Sequence, residues 1–174
     1  MDIHGYFPLI NSYDLPFNLL PETVRVLRDE GAGKTESLVF WAGRVLRDRA
    51  ELSTIIVPKG SGVQKHPQYV RISDAAMLRV AELLNPPDRV LLAQVHTHRR
   101  AAFHSPTDDS YGFRSPGFIS IVIGNYAADA VPAIDTWAAW ECTDGVRFRE
   151  LLPAELSARF RVRQDLPLRI LEAT

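Results

Sequence analysis

Four stretches of the chain are almost continuously apolar: residues 37–43 (SLVFWAG), 52–58 (LSTIIVP), 89–96 (RVLLAQVH) and 118–124 (FISIVIG). Runs of this length predict strands covered on both faces or nearly so. Between them the apolar spacing turns helical. Residues 21–30 (PETVRVLRDE) place Val24 and Leu27 on one stripe, with Pro21 in the first turn and Gly31 and Gly33 as the stop. Ser73 is a cap for a second helix running to about Leu84, with Asp74 in its first turn and Met77, Val80 and Leu84 as its stripe. Asn85-Pro86-Pro87 ends it. A short helix is expected after Ser105. Residues 135–142 and 146–151 flank Thr143-Asp144-Gly145, a hairpin signal, and PAELSARF predicts a last helix. Residues 1–20, rich in Pro, Asn and Asp, read as an irregular arm. Residues 59–69, with Gly60, Gly62, His66 and Pro67, read as a loop. The interleaved order predicts an α/β domain with neither repeats nor a flexible linker.

Composition adds limits to this picture. At 174 residues the chain is one domain's worth, expected as a single unit over 1–174. A formal net charge of -1 gives no global field toward nucleic acid or an anionic membrane. Arg159, Arg161 and Arg163 form a local basic stretch that reads as a solvated face. The single cysteine, Cys142, excludes an internal disulfide and reads as a buried thiol. The first residues have neither the basic nor the apolar part of a signal peptide, and no apolar run approaches the roughly 20 residues of a spanning helix. A soluble, cytoplasmic protein is expected; its oligomeric state is not readable.

The candidate chemistry lies at the end of the third strand. His96 and His98 stand at i and i+2, and in a strand that spacing turns both rings to one face. Two imidazoles at a strand end can share a zinc ion, whose catalytic sites use three protein ligands and an open position. Ser105-Pro106-Thr107-Asp108 follows: a helix start with Ser105 as N-cap, Pro106 first and Asp108 third. A carboxylate beside two neutral imidazoles leaves the site net positive, which brings the pKa of bound water to roughly 7. Read separately, the histidines are also compatible with a core pair, and Asp108 with a residue serving the helix start.

His-x-His, a short loop and Ser-x-x-Asp together resemble the signature of the JAMM/MPN⁺ zinc metalloproteases. The family also carries a glutamate before an upstream buried strand that closes on glycine, matched here by Glu36 and Gly43 around Ser37-Leu38-Val39-Phe40-Trp41-Ala42. The resemblance covers roughly residues 20–130. It implies a curved mixed sheet flanked by helices, the JAB/MPN (cytidine-deaminase-like) architecture, with the metal at one end of the strands. The divisions implied are an arm over 1–20, a catalytic core over 21–130 and a C-terminal hairpin and helix over 131–174. It implies Zn2+ held by His96, His98 and Asp108. Glu36 would take a proton from the attacking water and pass it to the leaving amine, and Ser105 would bond the oxyanion. It implies cleavage after the C-terminal glycine of a ubiquitin-like protein, from targets or from a precursor. A stand-alone domain is similar to bacterial members found with ubiquitin-like conjugation and antiviral defence systems.

Departures from the family are specific. Arg99 stands where the family has proline after the second histidine, and the loop to Ser105 is one residue shorter than usual. Asp108 keeps the serine spacing and Asp109 the histidine spacing; helix geometry couples Asp108 to Ser105, and Asp109 is the alternative ligand. Val39, Phe40 and Trp41 fill a slot that is often glycine-rich, which could reshape the groove. His104 and His66 read as solvent-facing loop residues, and Arg99 and Arg100 as either solvated or in contact with an acidic partner. A non-catalytic MPN-type scaffold that binds a protein partner is the alternative function. A RadC-like protein would carry His-Asn-His-Pro, a zinc deaminase Pro-Cys-x-x-Cys, and a serine hydrolase a Gly-x-Ser-x-Gly elbow; none is present.

Overall fold

The computed structural model describes residues 10–84, 89–105, 108 and 113–174. From the N-terminal side the elements are β1 (Ser12–Pro16), α1 (Leu19–Glu30), β2 (Leu38–Leu46), β3 (Arg49–Pro58), β4 (Val63–His66), β5 (Tyr69–Ile72) and α2 (Asp74–Glu82). Then come β6 (Val90–Thr97), β7 (Ile119–Ile123), β8 (Ala138–Cys142), β9 (Phe148–Leu151), α3 (Pro153–Arg159), β10 (Phe160–Arg163) and β11 (Arg169–Ala173). One curled, mixed sheet runs β10-β1-β3-β2-β6-β7-β8-β9, and β11 pairs with the second half of β3, beyond β1. The hairpin β4-β5 stands apart from it. Among the described residues no helix is long and apolar enough to cross a membrane.

The apolar character of β2 follows from cover on both faces. Val39 and Trp41 pack with Leu20, Val24 and Leu27 of α1 and with Leu156 of α3. Phe40 and Ala42 point the other way and pack with Val80 of α2, Ile56 and Leu91. Alternate residues of one strand thus serve two cores, the behaviour expected when successive side chains point to opposite faces. Trp41 also satisfies its indole N–H on the Thr23 hydroxyl at 2.9 Å, so a large ring sits in the core with no polar group stranded. The helices start as expected. Ser73 accepts the Ala76 N–H on its side chain at 3.3 Å, and α1 ends at Gly31, whose N–H reaches the Leu27 carbonyl.

Three sequence expectations are corrected. Residues 12–16, expected in an irregular arm, form a buried interior strand parallel to both β3 and β10. Asp14 is buried there, and its charge is met by Arg49 at 3.5 Å and Arg163 at 4.0 Å. Residues 63–72, expected as a loop over 59–69, form the β4-β5 hairpin. The stretch 131–174, expected as a hairpin and a helix, also carries two further strands beyond the helix, β10 and β11. The basic stretch divides accordingly: Arg159 is half-buried against Glu141 at 2.6 Å, whereas Arg161 and Arg163 are exposed.

Gly43 sits at a bulge where the β2-β3 register shifts. A Cβ there would overlap the Glu51 carbonyl and crowd Leu52, all backbone atoms that cannot rotate away. Gly43→Ala should therefore lower unfolding stability by about 2 kcal/mol or more; a urea midpoint equal to that of the wild type would contradict this close approach.

Candidate metal centre

The antiparallel pairing of β2 with β6 builds the site. Leu38 lies opposite His96, so the residues that precede β2 meet those that follow β6. Beyond the strand ends the pairing is clamped: Thr97 N–H donates to the Ser37 carbonyl, Ser37 N–H donates to the Thr97 hydroxyl, both at 2.9 Å, and Ser37 Oγ donates to the Leu27 carbonyl. All of this is buried. Glu36 is thereby fixed beside the histidines, and its own N–H is held by the His66 carbonyl at the end of β4. On the other flank, His98 N–H reaches the Ile123 carbonyl and the His98 carbonyl accepts from Tyr126. The chain carrying the second histidine is anchored on both sides.

His96, His98 and Asp108 are brought together, with their potential ligand atoms all within 4.8 Å of one another. Asp108 Oδ1 lies 3.1 Å from His96 Nε2, and Oδ2 lies 3.5 Å from His98 Nε2. Four-coordinate zinc with bonds of roughly 2.0–2.1 Å separates neighbouring ligand atoms by about 3.3 Å, so the spacing suits such an ion. The histidines are almost wholly buried, and among the described residues neither ring nitrogen of His96 has a hydrogen-bond partner. Its Nε2 is near the carboxylate but out of line for a hydrogen bond. A buried imidazole left unbonded carries a desolvation penalty that a metal bond at Nε2 would remove. The donor set and the orphaned nitrogen both fit zinc.

Asp108 is held by a reciprocal cap. Its carboxylate accepts the Ser105 N–H at 2.7 Å while Ser105 Oγ accepts the Asp108 N–H at 3.2 Å. This is the coupling expected from the Ser-x-x-Asp spacing. Burial by itself would raise the Asp108 carboxyl, but the His96 and His98 imidazoles and the Ser105 amide outweigh it and hold the group far below the usual carboxylate range. Asp109, the alternative ligand, lies outside the described residues, as do Pro106 and Thr107.

Glu36 has the opposite environment. Burial pushes its carboxyl up to about 7, against the pull of His98 and of the Arg99 backbone amide, with the Asp108 charge adding to the rise. Glu36, Ser105 and the three candidate ligands line one groove of about 480 Å³, walled also by Leu38, Tyr69 and Phe103. Phe103 is exposed and sets its ring edge-on to His98, with centroids 4.9 Å apart. Neither Tyr69 nor Phe103 stood out in the sequence, because nothing in their neighbours marks an aromatic residue as a groove wall.

Other expectations resolve differently. His66 is exposed as expected, but it ends strand β4 rather than lying in a loop, and it stacks on Tyr69 at 4.6 Å. His104 is neither solvent-facing nor at the metal centre; it packs against the rings of Trp140 and Phe148. Val39 and Trp41 lie in the core, and only Phe40 reaches a second groove that continues from the first past Leu38, Val70 and Gln94. Cys142 is buried, and burial raises its thiol above the ordinary value.

A carboxyl with a raised native pKa binds its proton more tightly folded than unfolded. Stability therefore falls as pH rises from about 4.5 to about 7 and stays low above that. In metal-free protein, Glu36→Gln should raise the melting temperature by several degrees at about pH 8, and the gain should vanish near pH 4. A variant less stable than the wild type at both pH values would contradict this.

No protein-family model matches the chain. It is similar to a protein of Sinorhizobium fredii (strain NBRC 101917 / NGR234) named probable metalloprotease y4jG, with 28% identity over 129 residues, 69% of this chain and 75% of that one. Its fold is shared with protein DSY2949 from Desulfitobacterium hafniense, whose solution structure superposes with a TM-score of 0.64 over 88% of this chain and 94% of the other at 14% identity.

Proposed function

We propose that the chain is a zinc metallopeptidase of the JAMM/MPN⁺ type. Its substrate is the amide bond after the C-terminal glycine of a ubiquitin-like protein, cut to release a target or to trim a precursor. The observation that carries this reading is the convergence of two buried histidines and a capped aspartate at the strand end where Glu36 is also buried. The relative named a probable metalloprotease supports the peptidase class, and the resemblance of the motif supports the finer assignment.

His96, His98 and Asp108 would hold the metal. Zinc held there would supply Lewis acidity and lower the pKa of a bound water. Glu36 takes the proton from the attacking water and returns it to the leaving amine, a task suited to a carboxyl poised near neutrality. Ser105 Oγ is oriented by the Asp108 amide, which uses one lone pair and leaves the hydroxyl hydrogen to donate to the oxyanion. That interaction is worth on the order of 3 kcal/mol in comparable sites. The β4-β5 hairpin borders the groove through Gln68, Tyr69 and Val70, and an extended glycine-ended tail can lie between it and β6.

Elemental analysis should find about one zinc per wild-type chain and almost none after His96→Ala with His98→Ala. Glu36→Ala should keep its zinc while losing about 10²–10⁴-fold in cleavage of ubiquitin-like fusions. Ser105→Ala should lose about 10²–10³-fold. A wild type that takes up no zinc from added salt would contradict the metallopeptidase reading, and full activity in Glu36→Ala would remove the assigned proton carrier.

A further inference from the structure

Beside the metal groove, and sharing Arg99 and Arg100 with it, is a second pocket of about 630 Å³. Its wall includes Arg28, Lys34, Arg99 and Arg100 and, among the described residues, no carboxylate-bearing one. Several cations outside the pocket are neutralised, with Arg25, Arg44, Lys59, Arg149 and Arg159 each on a carboxylate, while Arg79 and Arg89 are held by backbone carbonyls. Lys34, Arg99 and Arg100 have no such partner among the described residues. Arg28 is held without being neutralised. Its guanidinium donates to the carbonyls of Ala127, Ala128 and Ala130 at 2.7, 2.9 and 3.2 Å, which fixes its direction and leaves its charge. Four like charges around one pocket, in a chain whose net charge is -1, repel one another unless an anion joins them.

The pocket floor is an independent observation. Asn125, Tyr126 and Ala127 take φ values of 50, 50 and 59°, three successive non-glycine residues in the left-handed region. Such backbone is costly and persists only where its surroundings enforce it. Here the Asn125 and Tyr126 amides are tied to the Arg100 and His98 carbonyls at 2.8 and 2.9 Å, and Arg28 clasps the far side of the turn. A Cβ on Gly124 would overlap the Arg100 carbonyl, so glycine there lets the His98–Arg100 segment lie directly on the turn. The strained turn fixes the backbone of the two arginines against the second metal-binding histidine.

We infer that this pocket is a carboxylate-binding subsite, which holds an anionic group of the substrate next to the scissile bond. This rests on the peptidase reading of the neighbouring groove. Guanidinium forks match the two oxygens of a carboxylate, and an exposed ammonium adds a further donor. The carboxylate comes either from a free chain terminus close to the cleaved bond or from an acidic side chain.

Calorimetric titration of the zinc-loaded, inactive Glu36→Gln protein distinguishes these sources. The probes are acetyl-Gly-Gly-Ala as acid and as amide, and the amides of acetyl-Gly-Gly-Glu and acetyl-Gly-Gly-Gln. The expected result is that at least one carboxylate peptide binds about tenfold more tightly than its neutral twin at low salt. The first pair differing assigns the chain terminus, and the second assigns the side chain. Adding Lys34→Gln with Arg100→Gln should abolish the preference while the melting temperature stays put, and roughly 0.5 M salt should weaken it. Equal binding within both pairs overturns the subsite, and so does a preference that survives the double substitution or is indifferent to salt. Zinc content is read on the same samples. Normal zinc with no carboxylate preference removes the subsite alone, whereas absent zinc with the preference intact removes the peptidase reading.

Discussion

The register between β2 and β6 is the constraint on which the site depends. Because Leu38 stands opposite His96, a shift of one residue would turn both histidines to the other face and separate them from Glu36. Nothing near the site is left to set that register loosely. Buried Ser37 and Thr97 exchange two hydrogen bonds, and Ser37 Oγ ties the pair back to α1. On either side the register is reinforced by apolar packing into two separate cores, so a slip would expose Val39 and Trp41 or Phe40 and Ala42 alike. The candidate chemistry therefore stands on the most fully buried part of the sheet.

The site itself works against folding. A carboxyl pushed up to about 7, two buried imidazoles and an aspartate set among them are groups that water would solvate better. The asymmetry between the two acids is informative. Asp108 receives the Ser105 amide and faces both imidazoles, so it stays ionised, as the proposed ligand role requires. Glu36 has burial without equal compensation, so it can gain and lose a proton near neutrality. Two carboxyl groups lining one groove are thus held by their environments at opposite ends of the carboxyl range, as the proposed ligand and proton carrier require. A bound dication would offset much of the cost, which makes metal binding and the stability of this strand end one linked equilibrium.

Much of this was legible in the sequence where apolar runs are long and caps are explicit. The strands around Val39, Ile55, Leu92 and Ile121, the Ser73 cap and the turn at Asp144 lie where their residues placed them. The strands that escaped are short and polar on one side. In β10 only Phe160 is buried, and in β1 the neighbouring Pro16 and Asn18 give the signal of irregular chain. Their partners are also distant: Tyr13 pairs with Phe160 across nearly the whole chain, a contact no local pattern can encode. At the site, the His-x-His and Ser-x-x-Asp spacings are local geometry and were readable. The walls supplied by Tyr69 of β5 and by Phe103, and the cationic pocket behind Arg99, are assembled from segments far apart in sequence, so their positions depend on tertiary contacts.

The most direct test of the account is anomalous diffraction at the zinc edge from crystals of the zinc-reconstituted protein. The expected result is one strong peak roughly 2.0–2.1 Å from Nε2 of both His96 and His98 and within bonding distance of an Asp108 oxygen. A peak elsewhere, or none at full zinc supply, would contradict the assignment of this strand end as a metal centre.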